Sequence, residues 1–183
     1  DDPRCAVHII GCTGDWFGGW DGLVPGNPDK FITPDLSSGR MVEVIEKEEP
    51  AIMVCHWPGI YYNGDKVGFN VLKTVVGRLH EKYDHLYWMK LSEIARYWAA
   101  KKLTNIEIEK KMIMLDAPFS TKEFTIHVSK KVKGAELVVG NSKTSLMRSN
   151  SALELKDSMY FTEKNESILC FTLPKGKSQI VLL

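Results

Sequence analysis

His56 is the residue of this sequence whose type and position point most directly to chemistry. It follows the apolar run Ala51–Cys55 and directly precedes Trp57, Pro58 and Gly59. An imidazole titrates near neutral pH and has two distinct nitrogens, so it can act as an acid, a base or a metal ligand. The apolar run predicts a buried strand, which would place His56 at the carboxyl end of a parallel strand. The alternative is a partly buried histidine that bonds to backbone.

Aromatic side chains follow this histidine and also recur in a glycine-rich loop near the start of the chain. Ring faces can cover the apolar faces of sugars, while nearby carboxylates accept hydrogen bonds from hydroxyl groups. We therefore predict a carbohydrate-binding surface; the alternative is that some rings close the core beneath the loop. The candidate residues are Trp16, Trp20, Trp57, Tyr61 and Tyr62, with Asp15 and Asp21 as polar partners.

Asp15 and Asp21 also permit a second kind of carbohydrate chemistry. Two carboxylates can hydrolyse a glycosidic bond when their separation is correct, but spacing on an irregular loop fixes no distance. A glycosidase therefore stays an alternative. The sequence offers no nucleotide motif, because Gly14–Gly22 contains neither G-x-G-x-x-G nor a P-loop lysine. It also contains no G-x-S-x-G elbow of a serine hydrolase.

Composition narrows the classes of partner. The 183 residues carry a formal net charge of +1, with acids and bases interspersed, which argues against a large surface for nucleic acid. No apolar stretch reaches ~18 residues, so we expect no membrane span. The four cysteines form no C-x-x-C pair, which disfavours a zinc knuckle. A carbohydrate target favours a secreted or periplasmic location, and the start at Asp1 suggests a processed or truncated chain.

The first part of the chain has the pattern of alternating helices and strands. For residues 1–36 the sequence predicts a short strand followed by a long irregular loop. Helices are predicted where apolar residues recur at helical spacing, and strands where short apolar runs lie between them. Such alternation indicates a βαβα unit of a parallel sheet or barrel. The predicted elements are helices at 37–48, 68–83 and 92–102 and strands at 51–55 and 86–89.

The last part of the chain has a different texture. Phe124, Ile126 and Val128 alternate with polar residues, which is the period of a strand. Short runs of this kind separated by turn residues predict an antiparallel β-sandwich. The strands are expected at 106–114, 124–128, 136–139, 152–155, 168–173 and 179–183. We place the boundary near Thr104, so the predicted fold is α/β plus all-β: a partial (β/α) barrel-like domain at 1–104 and a sandwich at 105–183.

The region Ala51–Trp98 resembles the last strand-helix-strand-helix segment of polysaccharide deacetylases of the nodulation-protein type. The matching pieces are an apolar strand ending in a histidine, a loop glycine, a helix core, a short strand and a terminal helix. They lie at Ile52–His56, Gly59, Leu72–Val76, Leu86–Met89 and Leu91–Ile94. The resemblance covers about a quarter of the chain.

The resemblance implies a distorted (β/α) barrel that removes acyl groups from carbohydrates with a bound divalent metal such as zinc. His56 would match the histidine that protonates the leaving amine. The metal site of that family takes an Asp-Asp pair and a His-x-x-x-His pair. Here Asp1-Asp2 stand at the start and no His-x-x-x-His occurs. We therefore expect a truncated or catalytically incomplete deacetylase-like chain, or else a non-catalytic carbohydrate-binding module.

Overall fold

The computed structural model describes residues 8–9, 11–14, 17, 26–61 and 64–183. The chain folds into two compact units, one at His8–Trp88 and one that includes Met89–Leu183. Helices dominate the described part of the first unit, whereas two β-sheets dominate the second. The chain is therefore a mixed α/β protein with a sheet-rich C-terminal region.

The first unit is built around one long helix. Its regular elements in the described residues are a 3₁₀ turn at Pro28–Lys30 and helices α1 (Arg40–Ile45), α2 (Trp57–Tyr61) and α3 (Val67–Lys82). Helices α1 and α3 lie where apolar periodicity predicts them. They bury one core with the rings of the preceding loop. Its buried members are Phe17, Phe31, Ile32, Met41, Val42, Val71, Val75, Leu79 and Tyr83.

Three of the four positions that α3 buries lie one residue before the positions that its apolar spacing predicts. The sequence pattern selects Phe69, Leu72, Val76 and Leu79, but the helix buries Gly68, Val71, Val75 and Leu79. Phe69 is instead exposed. This shift places Gly68 on the buried face of α3. The backbone of Gly59 in α2 lies so close to it that a glycine is required there.

The strands predicted at 51–55 and 86–89 are wrong. Only Val54 forms an isolated bridge, and residues 86–89 have no regular structure. Side chains supply part of the pairing that a ladder would make: the backbone N–H of Val54 donates to the Thr13 hydroxyl at 3.1 Å. The described part of this unit therefore shows no parallel sheet and no barrel, and His56 does not end a strand.

Within 89–183, the described part of the second unit, one α-helix is combined with two sheets. Helix α4 (Leu91–Leu103) precedes all of the strands. The strands are β1 (Asn105–Glu109), β2 (Met112–Ala117), β3 (Thr121–Val128), β4 (Ala135–Val139), β5 (Ser142–Ser145), β6 (Met147–Arg148), β7 (Met159–Glu163), β8 (Glu166–Leu173) and β9 (Gly176–Leu182). One sheet has the order β1-β2-β9-β4-β5 and the other β3-β8-β7-β6.

The two sheets enclose a common apolar core, as a sandwich does. Ile113, Leu115 and Ile180 enter it from the five-stranded sheet, while Phe124 and Phe171 enter it from the four-stranded sheet. All neighbouring strands of the five-stranded sheet are antiparallel. The pair β6 and β7 is parallel, so the four-stranded sheet is mixed rather than purely antiparallel.

Helix α4 packs on the sheets, although the predicted boundary near Thr104 groups it with the preceding residues. Ala100 lies in the core of the sandwich. The hydroxyl groups of Tyr97 and Thr125 are 2.7 Å apart, and the Thr125 N–H donates to the Tyr97 oxygen. These contacts make α4 part of the second compact unit.

Three details of the strand prediction also differ. The run predicted at 106–114 is two strands joined by a turn at Lys110-Lys111, and 152–155 contains a 3₁₀ turn at Ala152–Glu154 instead of a strand. Strands β5 and β7 are present but not predicted, although β7 begins with the apolar run Met159–Phe161. In β5 all four residues are exposed, so burial leaves no alternation to recognise.

Candidate functional site

The segment that carries His56 is held against the start of the first unit. The Cys12 N–H donates to the Ile52 carbonyl at 3.0 Å, and the Cys12 thiol donates to the same oxygen at 3.2 Å. Gly11 lies against Val54 so closely that an added Cβ would come within 1.9 Å of its Cγ2. These contacts fix the backbone immediately before His56.

Helix α2 begins directly after His56 and is held by a close backbone contact. The N–H of Ile60 donates to the His56 carbonyl at 3.3 Å, which closes the first turn. Gly59 is the buried residue of this helix. A Cβ added to Gly68 of α3 would lie 2.5 Å from the Gly59 carbonyl oxygen, so only a glycine lets the two helices approach this closely.

Three predicted site residues lie together on this short segment. His56 and Trp57 are exposed, and 71 % of the surface of Trp57 is accessible. The rings of Trp57 and Tyr61 have centroids 4.6 Å apart and planes inclined by 50°. Residues four apart on a helix face the same side, which explains the pairing. An exposed imidazole is thus followed by an exposed pair of rings.

This arrangement can bind an apolar face beside a group that transfers protons. Large exposed rings offer a ligand contact area at low entropic cost. The contact between two aromatic rings is itself worth about 0.5–1.5 kcal/mol beyond their burial, which holds Trp57 and Tyr61 together. A histidine can donate or accept a proton when its ring nitrogen reaches a ligand atom at about 2.6–3.2 Å. The remaining site predictions, Asp15, Trp16, Trp20, Asp21 and Tyr62, lie outside the described residues.

Each of the two units also exposes a tryptophan that the sequence predicts to be buried. The sequence predicts Trp88 and Trp98 as core residues because they sit on predicted regular elements, a strand at 86–89 and a helix at 92–102. Trp88 is instead 54 % exposed, and Trp98 is exposed as well. The His80 ring lies 5.5 Å from the Trp88 ring. Trp88 is expected in a buried strand at 86–89, but these residues have no regular structure.

Titratable groups elsewhere in the first unit support the fold. The Tyr83 hydroxyl donates to a carboxylate oxygen of Glu46 at 2.9 Å. Burial, followed by this hydrogen bond and the negative charge of Glu46, raises the pKa of Tyr83 to about 12. His85 lies 2.8 Å from Asp84, and this hydrogen bond lowers the pKa of Asp84. These pairs explain local structure rather than catalysis.

The divalent metal implied by the deacetylase resemblance requires a group of convergent ligands. Within the residues that the structure describes, no three His, Cys, Asp or Glu side chains come together in a way that could hold a metal ion. His80 and His85 lie near the end of α3 and in the following loop. The described side chains therefore do not fit the ligand set of that family.

A cavity of about 440 Å³ lies on the five-stranded sheet of the second unit. Its lining residues fall between 105 and 179, so none of the predicted site residues contributes to it. The sequence shows only the polar alternation in β1, where Asn105, Glu107 and Glu109 occupy every second position; this pattern marks a polar strand face and does not locate the cavity.

Comparison with known proteins assigns no family to this chain. No family model, curated protein or solved structure matches this chain. In the described part of the chain, none of the helices combines the length and apolar character needed to cross a membrane.

Proposed function

We propose that this chain is a carbohydrate-directed hydrolase, most like a truncated or catalytically incomplete polysaccharide deacetylase, in which His56 is the proton donor. The observation that carries the proposal is the exposed imidazole directly before α2, followed by the exposed Trp57–Tyr61 ring pair. The rings provide a surface for a sugar, and the histidine provides a titratable group beside it.

The chemical step assigned to His56 is the release of an amine from an N-acetylated sugar. Water adds its hydroxyl to the acyl carbon, and the bond between carbon and nitrogen breaks. The protonated imidazole gives its proton to the leaving nitrogen, and the remaining proton of the water restores the imidazole. The products are acetic acid and the free amino sugar. General acid catalysis of this type contributes typically about 10²–10⁴-fold to rate.

The second candidate function is carbohydrate binding without turnover. It is favoured by the fact that the described residues present a ring pair and an imidazole but no cluster of three metal-ligating side chains. In that case His56 contributes a hydrogen bond to the ligand rather than a proton to a leaving group. The two candidates share the same binding surface and differ only in turnover.

One set of variants separates the candidates. The full chain and its His56→Ala, Trp57→Ala and His127→Ala variants are assayed for acetate release from chitohexaose, with and without added zinc, and for chitohexaose binding by calorimetry. His127 is an exposed histidine on β3 and serves as the matched control.

The hydrolase proposal predicts that His56→Ala reduces acetate release by about 10²-fold or more while binding changes little. Trp57→Ala should weaken binding about tenfold, and His127→Ala should change neither quantity. Binding without acetate release from the parent chain would select the second candidate. Failure of chitohexaose to shift the backbone amides of Trp57–Tyr61 in the ¹⁵N-labelled parent chain would contradict both, whatever the total affinity measured by calorimetry.

A further inference from the structure

The outer face of the five-stranded sheet carries an ordered array of side chains. Register places Glu107, Met114, Gln179, Val138 and Lys143 directly beside one another across the five strands. Directly opposed residues of antiparallel strands point to the same face. Because Leu115 and Ile180 on the intervening positions enter the core, this row faces away from it.

The middle of this face is recessed. Val138 is only 8 % exposed although its register places it on the outer face. The cavity of about 440 Å³ lies here and includes Met114 and Val138 among its lining residues. Its volume falls within the range of about 300–1,000 Å³ typical of small-molecule sites. The lining comes from four adjacent strands, which span about 14 Å at about 4.8 Å per step.

The polar groups around this recess are available to a ligand. Asp116 and Lys177 are direct cross-strand partners and line the cavity with Gln179. Within 105–183, all of which the structure describes, neither of the two charged side chains forms an ion pair or a hydrogen bond with the protein. Glu107 accepts a hydrogen bond from the Asn105 amide at 3.0 Å, which orients both side chains on β1.

We propose that this recess binds a neutral oligosaccharide. Carboxylates accept hydrogen bonds, the Lys177 ammonium donates them, and the amides do both, which suits the paired donors and acceptors of sugar hydroxyls. Met114 and Val138 supply an apolar floor for ring C–H groups. Two carboxylates against one ammonium are the wrong complement for a phosphate or a carboxylate ligand.

This site shares no residue with the His56 surface, so it does not depend on the proposed function. It also differs from it in chemistry, because it binds through hydrogen bonds over an aliphatic floor rather than through aromatic rings. A glycan bound on the sheet would add a second attachment point to the same polysaccharide. Two linked contacts raise overall affinity through effective concentration if the geometry permits both.

The test uses the full chain: NMR titration locates the bound oligosaccharide, and substitutions in the recess measure how much each side chain contributes to affinity. Cellohexaose, xylohexaose and chitohexaose are titrated separately into the ¹⁵N-labelled protein, with oligogalacturonate as an anionic comparison. Affinities are then measured for Gln179→Ala, Glu107→Ala and Glu109→Ala. Glu109 is the matched control, because it lies on the same strand and face as Glu107 but does not line the cavity.

We expect saturable shifts of backbone amides in β1, β2, β4 and β9 with at least one neutral oligosaccharide. Gln179→Ala and Glu107→Ala should each weaken this binding about tenfold, whereas Glu109→Ala should leave it within about twofold. Trp57→Ala should not affect the shifts on the sheet. These shifts would persist even if the His56 surface bound no sugar.

Three results would overturn the proposal. The first is the absence of saturable shifts on these strands with all three neutral oligosaccharides. The second is tighter binding of oligogalacturonate than of any neutral oligosaccharide, which would assign the recess to an anion. The third is equal weakening by Glu107→Ala and Glu109→Ala.

Discussion

Gly68 of α3 lies so close to Gly59 of α2 that a Cβ on Gly68 would come within 2.5 Å of the Gly59 carbonyl oxygen. This contact sets the position of the helix that carries Trp57 and Tyr61. The residue before that helix is His56, so the glycine contact also constrains the imidazole. The position of the candidate site therefore depends on the backbone contact between Gly68 and Gly59, although neither glycine is one of the site's proposed ligand-binding residues.

Substitution of Gly68 should consequently disturb the candidate site. Gly68→Ala should reduce the free energy of unfolding by about 1–3 kcal/mol, because the added methyl group overpacks a backbone contact. It should also change the fluorescence of Trp57. The control is Gly77→Ala on the same helix, where a Cβ meets nothing within 4 Å. That change should stabilise the protein by about 0.5–1 kcal/mol, and urea unfolding of both variants checks the contrast.

Tyr97 should hold α4 on the sheets of the second unit. Tyr97→Phe removes the hydroxyl that lies 2.7 Å from Thr125, and we expect a loss of about 1 kcal/mol in the free energy of unfolding. Tyr87→Phe is the control, because Tyr87 is largely exposed and should lose almost nothing. An equal effect of the two substitutions in urea unfolding would argue against the packing of α4.

Burial of the Tyr83 hydroxyl, together with its hydrogen bond to Glu46, should make stability depend on alkaline pH. The pKa of Tyr83 rises from 10 to about 12 in the folded chain, so the unfolded chain loses this proton first. The stabilisation is therefore fully present below pH 10 and is lost as pH rises toward 12. Tyr83→Phe should cost about 1 kcal/mol near neutral pH.

Urea unfolding of both proteins across this pH range checks the prediction. The difference in free energy of unfolding between parent and variant should shrink above pH 10. A difference that grows with pH would contradict the assigned hydrogen bond.

Asp35 should resist protonation. Hydrogen bonds from the Thr33 hydroxyl and then from Ser37 lower the pKa of Asp35 from 3.8 to about 2. Because its folded pKa is depressed, the stabilisation is present above pH 3.8 and is lost as pH falls through about 2. Thr33→Val should raise the pKa toward 3.8, as measured by carboxyl ¹³C chemical shifts. Thr74→Val on α3 is the control and should leave the titration of Asp35 unchanged.

The sequence predicts α1, α3 and α4 better than the strands of the first unit, and it does not predict α2. Helix α3 has a long apolar period, and α4 has Glu93 in its first turn and basic residues in its last. The run at 51–55 has the composition of a strand, but Cys12 and Thr13 bond its backbone with side-chain atoms as well as with an N–H. Composition alone does not distinguish such an anchored segment from a strand of a parallel sheet.

Of the two candidate sites, the sequence predicts the one formed by residues close together in the chain and not the one formed by pairing of distant strands. The sequence groups His56, Trp57 and Tyr61 because they are close in the chain, and in the structure the two rings are paired on α2 directly after the histidine. The sequence does not reveal the recess on the five-stranded sheet, because Asp116 and Lys177 become neighbours only through the pairing of β2 with β9. Register between strands distant in sequence cannot be read from a single local pattern.

The most direct measurement is a structure of the full chain with N-acetylated chitohexaose bound. We expect a sugar ring against Trp57 and Tyr61, with a ring nitrogen of His56 about 2.6–3.2 Å from the amide nitrogen of the acetamido group. A sugar on the rings with its amide turned away from His56 would contradict the assigned proton transfer. A sugar that contacts neither ring would contradict the central claim altogether.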